Sequence, residues 1–277
     1  MKVQLPNGDW LELPRGATAL DAAQKLGARL AKAAVAAKVN GKPVDLATAL
    51  PDGATLEVLT PSVSDGLDVI RHSTAHAMAQ AVTELFGKDQ VRLGIGPVIE
   101  DGFYYDFDLP RPLTPEDLEQ IEQRMHEIIA ADLLVRRVEI SREEAMAKWQ
   151  ATGDPYKVEL IRDIPPGEPI SFYEQQGNGH YFIDLCRGPH VPSTGKLSPH
   201  FKLLSVAGAY WRGDEHRPML QRIYAACFST KQELEEFLRR QEEIARRDHR
   251  KLGKALDIFS IHDEVGAGLI LWHPKGA

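Results

Sequence analysis

The chain has 277 residues, of which 43% are hydrophobic and 26% charged, with a formal net charge of -7. These values belong to an ordinary globular protein with one large core and, from its length, about two domains; they exclude wholesale disorder and polyanion binding by bulk charge. No run approaches the roughly 18 to 20 apolar residues of a spanning helix, the N-terminus lacks a secretory apolar segment, and two cysteines cannot form a disulfide framework, so the expected setting is cytoplasmic, away from any membrane.

The first sixty or so residues read as a small unit of their own. Val3-Gln-Leu5 and Trp10-Leu-Glu-Leu13 flank Pro6-Asn-Gly-Asp9, whose Asn-Gly pair supplies the positive φ of a tight hairpin turn. Thr18 caps a helix with apolar residues Ala19, Leu20, Ala23 and Leu26 at helical spacing, closed by Gly27. Short strands are predicted at 35–39 and 55–59. Hairpin, helix and short strands make a β-grasp pattern, an interaction or spacer module without chemistry of its own.

Residues 61–66 read as a linker, and from Leu67 the periodicity is helical up to Gly87. An aromatic alternation, Gly102-Phe-Tyr-Tyr-Asp-Phe-Asp-Leu109, predicts a strand. Thr114-Pro-Glu-Asp117 starts a helix running to about Ala131: a cap hydroxyl, proline at the first position, and acids in the first turn. A strand at 135–140, a capping box at Ser141-Arg-Glu-Glu144, and strands at 170–173, 181–184, 201–206 and 219–228 follow. Mixed helix and strand runs favour an α+β domain. Ser229 or Thr230, the latter with Glu233 at the box position, then caps a long helix, expected to reach Leu252 and, if unbroken, to span about 33 Å at 1.5 Å per residue. Its end is basic, with Arg246, Arg247, Arg250, Lys251 and Lys254. Such cations complement the helix dipole, and an RNA phosphate contact is the alternative. The final stretch ends at Trp272-His-Pro-Lys-Gly-Ala277 with no closing element, as though the chain were cut.

Two stretches carry the chemistry. His72-Ser-Thr-Ala-His76 lies within the helical run, where residues four apart share a face, and Asp184-Leu-Cys-Arg-Gly-Pro-His190 follows a strand. Either alone is as well explained by structural hydrogen bonding; together they offer three imidazoles and a thiol that converge on one pocket where water attacks an ester. The first resembles the HExxH metalloprotease motif but has Ser73 where that chemistry needs its glutamate, so peptide hydrolysis by that route is not expected. Gly94-Ile-Gly96 is too short for a dinucleotide fingerprint. Lys157, in an otherwise apolar segment, is as readily a surface lysine as a site residue. Cys227, within Ala-Ala-Cys-Phe, reads as core.

His72-Ser-Thr-Ala-His76-Ala-Met, Asp184-Leu-Cys-Arg-Gly-Pro-His190-Val-Pro, Val206-Ala-Gly-Ala-Tyr-Trp-Arg-Gly-Asp214 with Met219-Leu-Gln-Arg-Ile-Tyr224, and Arg247-Asp-His-Arg-Lys-Leu-Gly253, in this order, closely resemble the bacterial threonyl-tRNA synthetase family. The resemblance runs the length of the chain. It implies a TGS domain of β-grasp fold (1–62), an α+β editing domain that deacylates mischarged seryl-tRNA (63–228), a linker helix (229–252), and the truncated start of a class II catalytic core (253–277). The His and Cys motifs are shared with alanyl-tRNA synthetase editing domains, whereas the TGS-like start and the Tyr-Trp-Arg-Gly-Asp segment are not. The core's ATP and zinc sites, and the dimer contacts expected of the parent enzyme, lie beyond Ala277, so threonine activation and tRNA charging are not expected here.

By the same resemblance, His72 assists proton movement at the terminal ribose, His76 and His190 orient it or the substrate, Cys186 and Lys157 hold and polarise water, and Asp184 binds the amino acid. Cys186 as a covalent nucleophile is the alternative. The site is expected to need no cofactor, with zinc on His72, His76, Cys186 and His190 the other reading. A non-catalytic RNA-binding or regulatory module and a free-standing alanyl-tRNA deacylase are the competing functions.

Overall fold

The computed structural model describes residues 1–247, 249–262, 266 and 269–276, and only the backbone of Arg250, Lys254 and Ile261. The side chains of two cations of the basic helix end, Arg250 and Lys254, and part of the expected core start at 253–277 therefore lie outside what is described. The chain forms two compact units, Met1–Ser229 and Thr230–Ala277.

The first unit opens with β1 (Lys2–Gln4) and β2 (Trp10–Glu12), an antiparallel hairpin. Its turn differs from the expected tight Asn-Gly turn: Gly8 N–H bonds Leu5 O, Leu5 N–H bonds Asp9 O, and of the Asn-Gly pair only Gly8 has positive φ. This is a three-residue loop with glycine at the left-handed position. Helices α1 (Ala19–Leu26) and α2 (Ala28–Ala33) come after it, α1 opened by a capping box between Thr18 and Asp21. Strands β3 (Ala36–Val39), β4 (Lys42–Val44) and β5 (Leu56–Leu59) form a sheet in the order β4-β3-β5, and a parallel bridge from Gln4 to Thr55 joins the hairpin to it. Val3, Ala22, Ala23, Ala37 and Leu56 form a core beneath α1.

Helix α3 (Ser64–Phe86) is the element on which the remainder of the first unit packs. It is buried on every side from Ser73 to Val82, which an amphipathic surface helix would not be. Alanine at 75, 77, 79 and 81 lets neighbours approach on all faces. Next come β6 (Arg92–Leu93), β7 (Val98–Ile99), β8 (Gly102–Asp108) and α4 (Pro115–Ala130). The capping box of Thr114 with Asp117 starts α4 where the sequence places it, and Ile121, Met125 and Ile128 bury one face completely, each worth about 1.5–3 kcal/mol.

Then come β9 (Leu134–Ile140), α5 (Arg142–Thr152), α6 (Pro155–Asp163), β10 (Ile170–Gly177), β11 (His180–Leu185), β12 (Phe201–Tyr210) and β13 (Met219–Cys227). Two antiparallel sheets result, β11-β10-β9 and β12-β13-β8-β6 with β7 on β8. One core cluster joins α3, α4 and the faces of both sheets, and takes in Val35, Ala36 and Leu59 from the N-terminal region. The α+β class with a β-grasp start is as the sequence predicts. Strand β12 runs through Gly208 to Tyr210, residues expected to separate two strands, and pairs with β13 down to Met219.

In the second unit, α7 (Lys231–Arg246) begins at the Thr230–Glu233 capping box. The unbroken helix expected to Leu252 is not observed: Arg247 leaves helical geometry at φ -90 and ψ 9, and α8 (His249–Ala255) is a separate helix. Strands β14 (Phe259–Ile261) and β15 (Ile270–Trp272) form a hairpin. Among the described residues no helix is long and apolar enough to cross a membrane.

Gly102 shows how tightly β8 packs on β13, since a Cβ there would lie 1.9 Å from the Ala225 carbonyl oxygen. Gly102→Ala should therefore cost about 1–3 kcal/mol of stability, read as a lower urea midpoint at unchanged slope.

Candidate active site

The two motifs meet. His72 and His76, one turn apart on α3, face the loop after β11, and His72, His76, Cys186 and His190 place one ligand-capable atom each within 4.8 Å of one another. His72 Nε2 is 3.0 Å and His190 Nε2 3.3 Å from Cys186 Sγ. The rings of His72 and His190 stack at 4.5 Å, and that of His76 lies 4.2 Å from His190.

Hydrogen-bond arithmetic orients the group. Ser73 Oγ accepts from Val191 N–H and pairs with His190 Nδ1 at 3.0 Å, where either group can donate. With the hydroxyl donating, the His190 proton lies on Nε2, directed at the Cys186 sulfur; with Nδ1 donating, Nε2 is left as an acceptor. The sulfur also accepts from Gly188 N–H at 3.3 Å, leaving its own S–H free to donate to His72 Nε2.

Lys157 is not a surface lysine. It is 1% exposed, set at the third position of α6 by Asp154, which accepts from the Tyr156 and Lys157 amides. Its ammonium lies 2.5 Å from Asp184 Oδ1, 3.0 Å from Gly94 O and 3.3 Å from Tyr105 Oη, which uses all three of its donors. Asp184, also 1% exposed, further accepts from its neighbour Leu185 N–H and from the Tyr105 hydroxyl, with His76 Nε2 at 3.9 Å. A buried charge is tolerated only when paired and hydrogen-bonded, and this pair meets both conditions.

Burial decides the protonation states. It lowers His72 and takes His76 down to about 3, against the opposing pull of Asp184; it holds His190 well below its usual value, with its two histidine neighbours adding to the effect. Burial pushes the Cys186 thiol up to about 12, and burial with the Asp184 charge keeps the Tyr105 phenol protonated. At neutral pH the cluster is three neutral imidazoles and a thiol beside one closed ion pair. A thiol so held is a poor covalent nucleophile, which counts against that alternative. His72 and Cys186 are half-buried, whereas His76, Lys157, Asp184 and His190 are buried, so solvent reaches the group from the His72–Cys186 side.

All six residues singled out from the sequence thus come together. Four others in the site are not evident from the sequence. Tyr105 stands out there only as part of a strand, and Ser73 only as the wrong residue for a metalloprotease. Tyr173 and Asp45 carry no sequence signal. Asp45, between β4 and β5, accepts from His190 N–H at 2.8 Å and from the Tyr173 hydroxyl at 2.7 Å, while the Tyr173 ring lies 4.2 Å from that of His190. Gly188 makes room: its φ is 73, and a Cβ there would fall 1.9 Å from Tyr173 Oη. A cleft of about 580 Å³ beside Asp45, lined by Leu46, Leu134, Arg137 and Tyr173, touches the cluster only through His190.

The four donors suit a metal. Zinc with one thiolate and imidazoles needs neighbouring ligand atoms roughly 3.5 Å apart, and a zinc-bound His190 would donate its Nδ1–H to Ser73 Oγ, the outer contact such a ligand uses.

Comparison with known proteins agrees with these features. Residues 1–60 match the TGS domain model, and residues 170–224 match the model for the threonyl and alanyl tRNA synthetase second additional domain. Over its whole length the chain is 54% identical to the threonine–tRNA ligases of Citrifermentans bemidjiense and Thermus thermophilus, and 52% identical to that of Geobacillus kaustophilus. It spans 42%, 42% and 41% of those proteins. The chain is therefore homologous to the N-terminal portion of such ligases.

Imidazoles held neutral make the fold acid-sensitive. Their depressed folded values mean that their contribution is complete above pH 6.5 and is lost as pH falls below it; for His76 the loss runs towards 3, at about 1.4 kcal/mol per pH unit. Urea denaturation between pH 7.5 and 5 should show this slope, and His76→Gln or His190→Gln should flatten it.

Proposed function

We propose, from this homology and from the convergence of His72, His76, Cys186 and His190 beside the Lys157–Asp184 pair, that the chain is an editing module that hydrolyses seryl-tRNA(Thr) and spares threonyl-tRNA(Thr). The convergence carries the reading, because four buried and two half-buried polar groups from three separate segments are otherwise a costly thing to gather. In this reading residues 1–62 are the TGS domain, 63–228 the editing domain, 229–252 a linker and 253–277 the start of a synthetase core. The parent would use ATP to ligate threonine to tRNA, as a cytoplasmic homodimer held through its core.

Physics supplies the need. Serine lacks one methyl of threonine, a difference worth only about 1–3 kcal/mol in a binding pocket, so a synthetase misacylates unless a second site removes the error. An ester is labile enough that a positioned water and electrostatic help suffice. The solvent-facing, neutral His72 exchanges the weak Cys186 S–H at its Nε2 for water and takes a proton from it as the water oxygen attacks the ester carbonyl. The bond from that carbonyl carbon to the ribose oxygen then breaks, the ribose oxygen recovers the proton from His72, and serine leaves as its carboxylate, its acid proton passing to solvent.

Cys186 supplies a weak S–H donor at the same place. Lys157, with its three donors already in use, acts through its charge, favouring the negative oxygen of the tetrahedral intermediate. Asp184 keeps that charge in place and orients Tyr105 and His76, so amino-acid binding falls to the groups around it. His190 holds Cys186. Zinc, where bound to the four donors, would supply a Lewis acid and a more acidic water; the steps above use only the chain's own groups.

Incubating the chain with seryl-, threonyl- and alanyl-tRNA separates the readings. Selective loss of serine is expected; loss of none would indicate an RNA-binding module, and loss of alanine an alanyl-tRNA deacylase. His72→Ala should lower the seryl-tRNA rate by about 10²-fold or more, whereas Cys186→Ala should retain activity to within about ten-fold. If Cys186 were a covalent nucleophile, Cys186→Ala would abolish turnover.

Exhaustive chelation, checked by elemental analysis, should leave the rate unchanged. Added zinc should inhibit by engaging His72.

A further inference from the structure

Three buried polar atoms near the cluster find no hydrogen-bond partner among the described residues: His76 Nδ1, Gln80 Oε1 and Gln175 Nε2. The three residues are 4%, 0% and 2% exposed. A fourth such atom, Trp149 Nε1, belongs to a separate core on the other face of the β9–β11 sheet. The register places the first three along one stretch of the contact between α3 and the β10–β11 pair. His76 and Gln80 are one turn apart on α3, on the same face. Strand β11 runs along that face, with Asp184 3.9 Å from His76 Nε2 at one end and His180 2.9 Å from Glu84 at the other. Phe182 lies between them, its ring 6.3 Å from that of His76. Gln175 is the cross-strand partner of Phe182 and shares its face, two residues on from Tyr173, which touches His190.

The chemistry of the three atoms is complementary. Gln80 Nε2 donates to the Glu84 carboxylate at 2.7 Å, and because a carboxylate only accepts, the end of the amide left over is the oxygen. Glu84 is itself fixed by Arg124 and His180. Gln80 therefore offers an acceptor and Gln175 a donor. The Asp184 carboxylate facing His76 Nε2 favours a proton on that nitrogen, which leaves Nδ1 as a second acceptor. Two acceptors and one donor are what a single water satisfies, and buried waters commonly make about three such bonds.

We propose that one water, held between α3 and β10–β11 by Gln80 Oε1, Gln175 Nε2 and His76 Nδ1, locks His76 as its Nε2–H tautomer and so keeps that N–H on the Asp184 side of the cluster. Gln80 and Gln175 are then positioning residues for deacylation, acting through the water. The inference rests on the editing role proposed above for its catalytic meaning, but not for its structural test.

That test has three parts. A high-resolution crystal structure of the whole chain should show density for one water bonded to the three atoms. Nitrogen-15 NMR of the His76 ring should show a bare Nδ1 and a protonated Nε2. In Gln80→Met, a near-isosteric change, the water should be lost and the His76 signals should become those of mixed tautomers. There kcat for seryl-tRNA should fall on the order of ten-fold with KM unchanged. Gln175→Leu reads the same water from the opposite wall, should Gln80→Met fail to fold.

Density for no water, or an unchanged His76 tautomer in both variants, would overturn the proposal. An inactive wild-type chain that still shows the water and the tautomer would sink the editing role and leave this structural inference standing.

Discussion

The buried pair of Lys157 and Asp184 is the constraint on which the site depends. Neither charge tolerates burial at 1% exposure alone, so the third residue of α6 and the end of β11 must meet, with Tyr105 of β8 and the Gly94 carbonyl completing the set. Four segments distant in sequence are thereby fixed around one point. The position of β11 in turn sets Cys186 two residues beyond Asp184 and brings the loop to His190 back against α3. The imidazoles stay neutral because burial disfavours their charged forms, and Asp184, which pulls the other way on His72 and His76, already has a closer partner in Lys157.

The second constraint comes from the N-terminal region. Asp45 reaches across to the backbone of His190 and the hydroxyl of Tyr173, and Val35, Ala36 and Leu59 share a core with α3. A module with no chemistry of its own thus holds one wall of the cluster. Losing Asp45 would leave a buried phenol and an amide unpaired, a cost of about 1–3 kcal/mol for each. The interaction or spacer role read from the sequence is too passive for that placement.

Much of this was legible from local rules. The capping boxes at Thr18, Thr114, Ser141 and Thr230 start helices where hydroxyl and acid spacing predicts, and the histidine pair shares a face because four residues are nearly one turn. What escaped was non-local. The burial of Lys157 depends on Asp184, in another element, and nothing around Lys157 distinguishes it from a lysine whose stem lies on an apolar surface. The break after Arg246 has no proline or glycine at it, so helical periodicity runs straight through. The tight Asn-Gly turn failed because the preceding Pro6 and the Leu5–Asp9 bonds favour a longer loop. Asp45 was invisible because its partners lie far along the chain.

A neutral donor-and-acceptor cluster suits an ester better than a charged one would. A thiolate or an ionised histidine placed at the His72–Cys186 opening would be costly to bury and reactive towards any acyl group that entered, the correct product included. With a neutral base and a thiol, the rate depends on how well a water is held against the carbonyl, and geometry of that kind is what one methyl group can disturb. A threonyl methyl pressing on the same water would misplace the attacking oxygen, and misplacement of about 1 Å can cost on the order of 10²-fold in rate. The proposed selectivity for serine would then arise in the positioning of the nucleophile as well as in binding, so that discrimination by a second pocket could exceed the modest value set by apolar contact alone.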